Sequence, residues 1–254
     1  MTTYVFFRPD WRYTSENRSP NRRYGHGPAN GLWQACIESY IHHYDYDGQY
    51  NDVMSDIFVN FLKVPSDNVP YAQYDGIKFI KGWFYKAKWY EVYNLVEFLF
   101  HRREAPRFIG RVSHFLETEK SGYRVVNKQL VPITDPVEIE AVAAASSLTS
   151  AFSGARHHLQ SAISLFSKKP DPDYRNSIKE AISAVESVAR VITGNPKATL
   201  GEALRKIDER MTIHPALREA LSRLYGYTSD EGGIRHAMLE QSNIDEAEAK
   251  FMIV

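Results

Sequence analysis

The sequence predicts a mainly α protein in two parts, and three observations carry that reading. Apolar residues recur at three- and four-residue spacing from about residue 30 to the end. Residues suited to strands gather in one short stretch, Ser121 to Ile133. Capping residues, prolines and glycines punctuate the chain at intervals that suit short helices, and 254 residues can bury two separate cores.

Residues 1–30 are rich in Arg, Pro, Asn, Gly and Tyr without a sustained period, so they read as an arm or long loop, with Tyr4 to Phe7 as a short strand. From residue 31 to 133 an aromatic-rich helical domain is expected. Leu32, Ala35, Cys36, Ser39 and Tyr40 share one face, and Val53, Ile57, Phe58 and Phe61 another. Pro65 and Pro70 close that pair. A third helix begins near Asp75 with Ile77, Ile80, Phe84 and Ala87, and a fourth holds Tyr90, Val92, Tyr93, Leu95, Val96, Phe98 and Leu99. Two β-prone runs around Asn127-Lys128 predict a hairpin. Thr134-Asp135-Pro136 supplies a cap and a proline at the first helical position, and an alanine-rich connecting helix follows over Glu138 to Ala151, within residues 134–152.

Residues 153–254 read as a helical bundle. Asp173 to Ile192 sets Ile178, Ala181, Ile182, Val185, Val188 and Ile192 on one stripe, opposite Lys179, Ser183, Glu186 and Arg190, with Gly194 as the stop. Thr199 to Glu202 has the form of a capping box before Leu204 and Ile207. Pro215 opens a helix carrying Leu217, Ala220, Leu221 and Leu224, followed by a glycine-rich break from Gly226 to Gly233. A last helix bears Ala247, Phe251 and Val254. Its apolar end implies either truncation at the C-terminus or packing on a partner.

Composition narrows the functions. Lys plus Arg and Asp plus Glu both total 31, so any nucleic-acid contact must be local. The single cysteine, Cys36, excludes an intramolecular disulfide and a thiolate metal cluster. No signal peptide and no membrane-spanning stretch is present, and a cytoplasmic location without membrane contact is expected. Gly-rich phosphate loops, nucleotide fingerprints and Ser-His-Asp ordering are absent.

Four blocks carry a family resemblance: Trp83 to Tyr93 (WFYKAKWYEVY), Gly122 to Asn127 (GYRVVN), Asp173 to Glu180 (DYRNSIKE) and Leu224 to Ala237 (LYGYTSDEGGIRHA). In this order they resemble the fourth type of AbiJ N-terminal domain followed by a HEPN-like domain, over roughly Gly31 to the chain end. The resemblance implies a bacterial abortive-infection protein active against phage, whose first part senses or regulates and whose HEPN part acts on RNA as a homodimer, triggered by a phage or host protein. Members of the group usually continue for one more stretch of helix, which favours truncation.

HEPN domains that cleave RNA resemble one another in an Arg separated by four to six residues from a following His. Such chemistry needs no metal or cofactor: histidine moves a proton, while arginine stabilises charge on the phosphate as the 2′-hydroxyl attacks. This sequence departs from the pattern. Ser229, Asp230 and Glu231 stand where that arginine would be, and Arg235 is adjacent to His236 instead. Neighbouring helical residues diverge by about 100°, so Arg175 or Arg223 would have to supply the charge by tertiary packing. The catalytic candidates are therefore His236, Arg235 and Arg175, with Asn176, Lys179 and Arg223 as candidate RNA contacts. The structural alternatives are an Asp230–Arg235 ion pair with His236 packed on the bundle, and Asp173 and Asn176 serving only a helix start. His42-His43 and His157-His158 lack the spacing of a zinc helix, so no metal is expected. Trp83, Trp89, Tyr90 and Tyr93 could stack on bases, but their spacing favours core packing. Two functions stay open: a metal-independent endoribonuclease, or a non-catalytic RNA- or protein-binding and dimerisation module.

Overall fold

Val53, Ile57, Phe58 and Phe61 lie along one helical segment, in which α1 (Tyr50–Ser55) passes into a π-helical stretch, Asp56–Phe61. The computed structural model describes residues 31–33, 41, 50–102, 105–209, 212–229 and 244–254. Five-residue bonding, with the Leu62 N–H on the Ile57 carbonyl at 2.8 Å, turns the adjacent Ile57 and Phe58 both inward. Helix α2 (Gln73–Lys86) buries Gly76, Ile80 and Phe84, and α3 (Trp89–Leu99) buries Val92, Leu95, Val96 and Leu99.

A further helix, α4 (Ala105–Thr118), was not expected; Phe108, Val112 and Leu116 form its inner face. Leu32, Trp33 and Ile41 join the same core, and a side chain on Gly31 would meet the Phe115 ring at 2.7 Å. Each large side chain so buried contributes about 1.5–3 kcal/mol.

The predicted hairpin is present as β1 (Arg124–Val126) and β2 (Gln129–Val131), antiparallel, with Val126 opposite Gln129. Asn127 and Lys128 both adopt positive φ, +50° and +64°, as a two-residue type I′ turn requires.

The chain falls into two compact units, Met1–Pro132 and Ile133–Val254. The second opens with α5 (Pro136–Ser146), where Asp135 accepts from the N–H groups of Val137 and Glu138. This helix is shorter than expected. The hydroxyls of Ser146 and Ser147 bond back to the carbonyls of Val142 and Ala144, and a 3-10 turn, Ser150–Phe152, follows. Helices α6 (Ser153–Phe166), α7 (Tyr174–Thr193), α8 (Leu200–Asp208), α9 (Pro215–Ser229) and α10 (Glu246–Ile253) complete the unit. Gly194 stops α7 at φ +68°, and Thr199 with Glu202 forms the expected capping box.

Helix α6, also not anticipated as a separate element, forms an antiparallel pair with α7 whose register is fixed by successive contacts. A side chain on Gly154 would come within 2.8 Å of the Ser187 hydroxyl. His158 meets Glu180, the Ala162 carbonyl meets Ser177, and the ring of Phe166 packs on Tyr174.

That close pairing corrects the buried face expected for α7. Ser177, Ala181 and Ala184 face inward with Ile178 and Ile182, because small residues let the backbones approach, while Val185 is 39 % exposed. Two other stripes also differ. Leu217 on α9 is exposed, and on α10 Ala249 and Ile253 are buried where Ala247, Phe251 and Val254 were expected. On α10 the inner face is set by packing against α6 and α7. Nor does α9 break at Gly226; it runs on to Ser229.

Candidate functional site

Three of the candidate residues stand together at the start of α7, because Asp173 ends the preceding loop and caps the helix. Its carboxylate accepts the Asn176 N–H at 3.1 Å and the Asn176 side-chain amide at 2.8 Å. Asn176 is thus committed to the helix start. Arg175 is half-buried and already engaged, and Lys179, one turn on, is half-buried too. The 3.6-residue period sets Arg175 and Lys179 on one side of the helix and Asn176 and Glu180 on the adjacent one. Arg223 is elsewhere, on α9, where Glu219 holds its guanidinium through Nε at 3.1 Å and Nη2 at 2.7 Å. His236 and Arg235 lie outside the described residues, as do the Asp230 alternative and His42-His43.

Several carboxylate contacts were not anticipated. The Nδ1 of His158 lies 2.8 Å from Glu180 Oε2, each side chain about one-third exposed. A carboxylate there fixes the ring's orientation and leaves Nε2 as the atom able to exchange a proton. Glu180 was in view in the sequence, but only the α6–α7 register reveals its histidine. Similarly, Glu186 accepts the Tyr225 hydroxyl at 2.6 Å and lies 3.8 Å from Arg190, tying α9 to α7. Tyr227 bonds Glu248 and so links α9 to α10.

Local electrostatics are set by carboxylates and burial. Burial, assisted by Glu246 and Asp245, pushes the Tyr174 phenol up, so it stays neutral beside the α7 start. The hydrogen bond to Glu248 raises Tyr227 in the same sense, and burial raises Glu246. Among the described residues no group of three or more His, Cys, Asp or Glu side chains could hold a metal ion. No helix among them is long and apolar enough to cross a membrane.

The aromatic residues singled out in the first unit pack against one another. Trp83 meets Phe61 edge-on at 5.6 Å, and Trp89 contacts Tyr90, Tyr93 and Tyr123 at 5.6–6.0 Å. These are the geometries of interior aromatic pairs.

Residues 28–148 match the family model of AbiJ N-terminal domain 4, so this part of the chain is similar to an AbiJ-type N-terminal domain. The match runs through the hairpin and takes in α5. No curated protein and no solved structure matches the chain.

Proposed function

We propose that the chain is a bacterial anti-phage protein of the abortive-infection type, whose second unit is a HEPN-like bundle that cleaves RNA as a homodimer without a metal. The match of residues 28–148 to AbiJ N-terminal domain 4 carries this reading, since it ties the first unit to a named defence family. The paired α6 and α7, with Arg175 and Lys179 on one side of α7, supply a helical frame on which a basic and a proton-transferring group can meet. His236 moves the proton, and Arg175 or Arg235 faces the phosphate. Two copies meeting about a two-fold axis make one composite site. Expression in a bacterial host should slow growth, and His236→Ala should relieve it; equal toxicity from both forms would remove the catalytic claim.

A second reading is favoured by the way the candidate polar residues are already occupied, with Arg223 forked onto Glu219 and Asn176 held by Asp173. In it the second unit binds RNA or a protein and dimerises, without catalysis. A salt titration of RNA binding separates the two kinds of partner: a negligible slope of affinity against salt means few phosphate contacts and a protein partner.

A further inference from the structure

The outward face of α2 has a composition that the core does not explain. Its inner side is Gly76, Ile80 and Phe84; on the other side the helical period brings Tyr74, Asp75, Lys78 and Gly82 together, with Lys81 and Lys86 at opposite margins. Tyr71, just before the helix, is 100 % exposed, and Tyr74 is 74 % exposed. Lys78 holds its ammonium 5.8 Å from the Tyr74 ring centre, and Lys81 lies 5.7 Å from that of Trp33. Among the described residues none of Lys78, Lys81 and Lys86 has a carboxylate partner. The acid nearby, Asp75, sits in the first turn, where it complements the positive end of the helix.

A chain of net charge zero therefore carries on one helix three lysines without a carboxylate partner among the described residues, Lys78 over the exposed Tyr74 ring and Lys81 over that of the buried Trp33. Exposed phenol rings offer flat faces on which a planar group can stack, and the ammonium groups offer charge to an anion. A polyanion bearing flat apolar surfaces satisfies both groups at once.

We infer that this face of α2 binds single-stranded nucleic acid, with Tyr71 and Tyr74 stacking on bases and Lys78, Lys81 and Lys86 meeting phosphates. The site belongs to the first unit and does not depend on the reading of the second as a nuclease. An acidic peptide would use the lysines but leave the rings unmatched. An anionic membrane would call for more apolar surface than two tyrosines and Phe79, which is 49 % exposed on the same helix, supply.

Gly82 makes the test clean, because a side chain added there meets nothing within 4 Å. Binding of a labelled oligothymidylate, which lacks the 2′-hydroxyl that the proposed cleavage needs, to the full chain is followed by fluorescence anisotropy. Engagement of three lysines gives a slope of log affinity against log salt of about −2. Gly82→Glu, which sets a carboxylate among the lysines, weakens binding about tenfold, and Gly82→Lys, of similar bulk, strengthens it. Tyr74→Ala also costs about tenfold. Gly110→Glu is the control, since that glycine on α4 is equally open but off this face; it leaves binding unchanged. The inference is overturned if the parent does not bind the oligonucleotide, or if Gly82→Glu and Gly110→Glu act alike. It is equally overturned if phosphatidylglycerol vesicles bind and the oligonucleotide does not.

Discussion

The hydroxyl of Ser177 donates to the carbonyl of Ala162 at 2.7 Å, and Ser177 is 0 % exposed. This bond joins α6 to α7 in their interior and fixes the register in which His158 meets Glu180. Ser177→Ala should destabilise the second unit by about 1 kcal/mol, the net value of one such bond. Ser177→Leu should cost more, about 1–3 kcal/mol from overpacking. Chemical denaturation followed by circular dichroism checks both, and a costless Ser177→Leu would mean that the pair is loosely packed.

Lys128 occupies the left-handed region at φ +64°, where a side chain on the α-carbon is crowded. Asn127 tolerates this conformation better, and glycine is the usual second residue of such a turn. Lys128→Gly should therefore stabilise the hairpin by about 0.5–1 kcal/mol, read as a higher melting temperature. A loss of stability would show that the lysine makes a compensating contact.

How far these elements were legible in the sequence depended on whether their signal was local. The Asn127-Lys128 turn, the Asp135 cap and the Gly194 stop are each decided by a few adjacent residues, and each stands where it was expected. Helix α4 was missed although Phe108, Val112 and Leu116 have helical spacing; Pro106 lies in its first turn, where proline is tolerated. The inner face of α7 was read only in part: Ile178, Ala181 and Ile182 are buried as expected, but Ser177 and Ala184 are buried through the close approach of α6, which is a tertiary outcome. The same distance in sequence hid His158–Glu180, and no local pattern pairs residues 22 apart. Trp83 and Trp89 read correctly as packing residues, while Tyr71 and Tyr74, outside any apolar stripe, drew no notice.

The phenol of Tyr93 is pushed above its ordinary value by burial, with only the Ser121 hydroxyl, 3.5 Å away, acting the other way. A raised value in the fold means that the folded state holds the proton more tightly than the unfolded one. The resulting stability is fully present below about pH 10, the unfolded value, and is lost as pH rises through the folded value. Melting temperatures of the parent should accordingly fall more steeply above about pH 10 than those of Tyr93→Phe. Parallel curves would place Tyr93 in contact with water.

The chemistry proposed for the second unit uses His236 and an arginine and no metal. Degradation of RNA by the purified chain should persist unchanged in excess EDTA. Abolition by the chelator, with recovery on adding magnesium, would assign the cleavage to a metal site and to residues other than these.

Leu130 faces α3 for a reason set by the hairpin itself. In a two-residue hairpin the pair next to the turn, Val126 and Gln129, exchanges hydrogen bonds, and the next pair, Val125 and Leu130, does not. The Leu130 N–H therefore points away from β1, and Glu97 Oε1 on α3 accepts it at 2.6 Å, with Leu130 buried. A bond to a charged acceptor in this setting contributes about 1.5–3 kcal/mol. Glu97→Ala should remove most of that and speed hydrogen exchange at the Leu130 amide, while Glu97→Gln, which keeps a carbonyl oxygen at the same reach, should cost less than half as much. Equal losses from the two variants would mean that the charge of Glu97, and not its hold on the hairpin, stabilises the first unit.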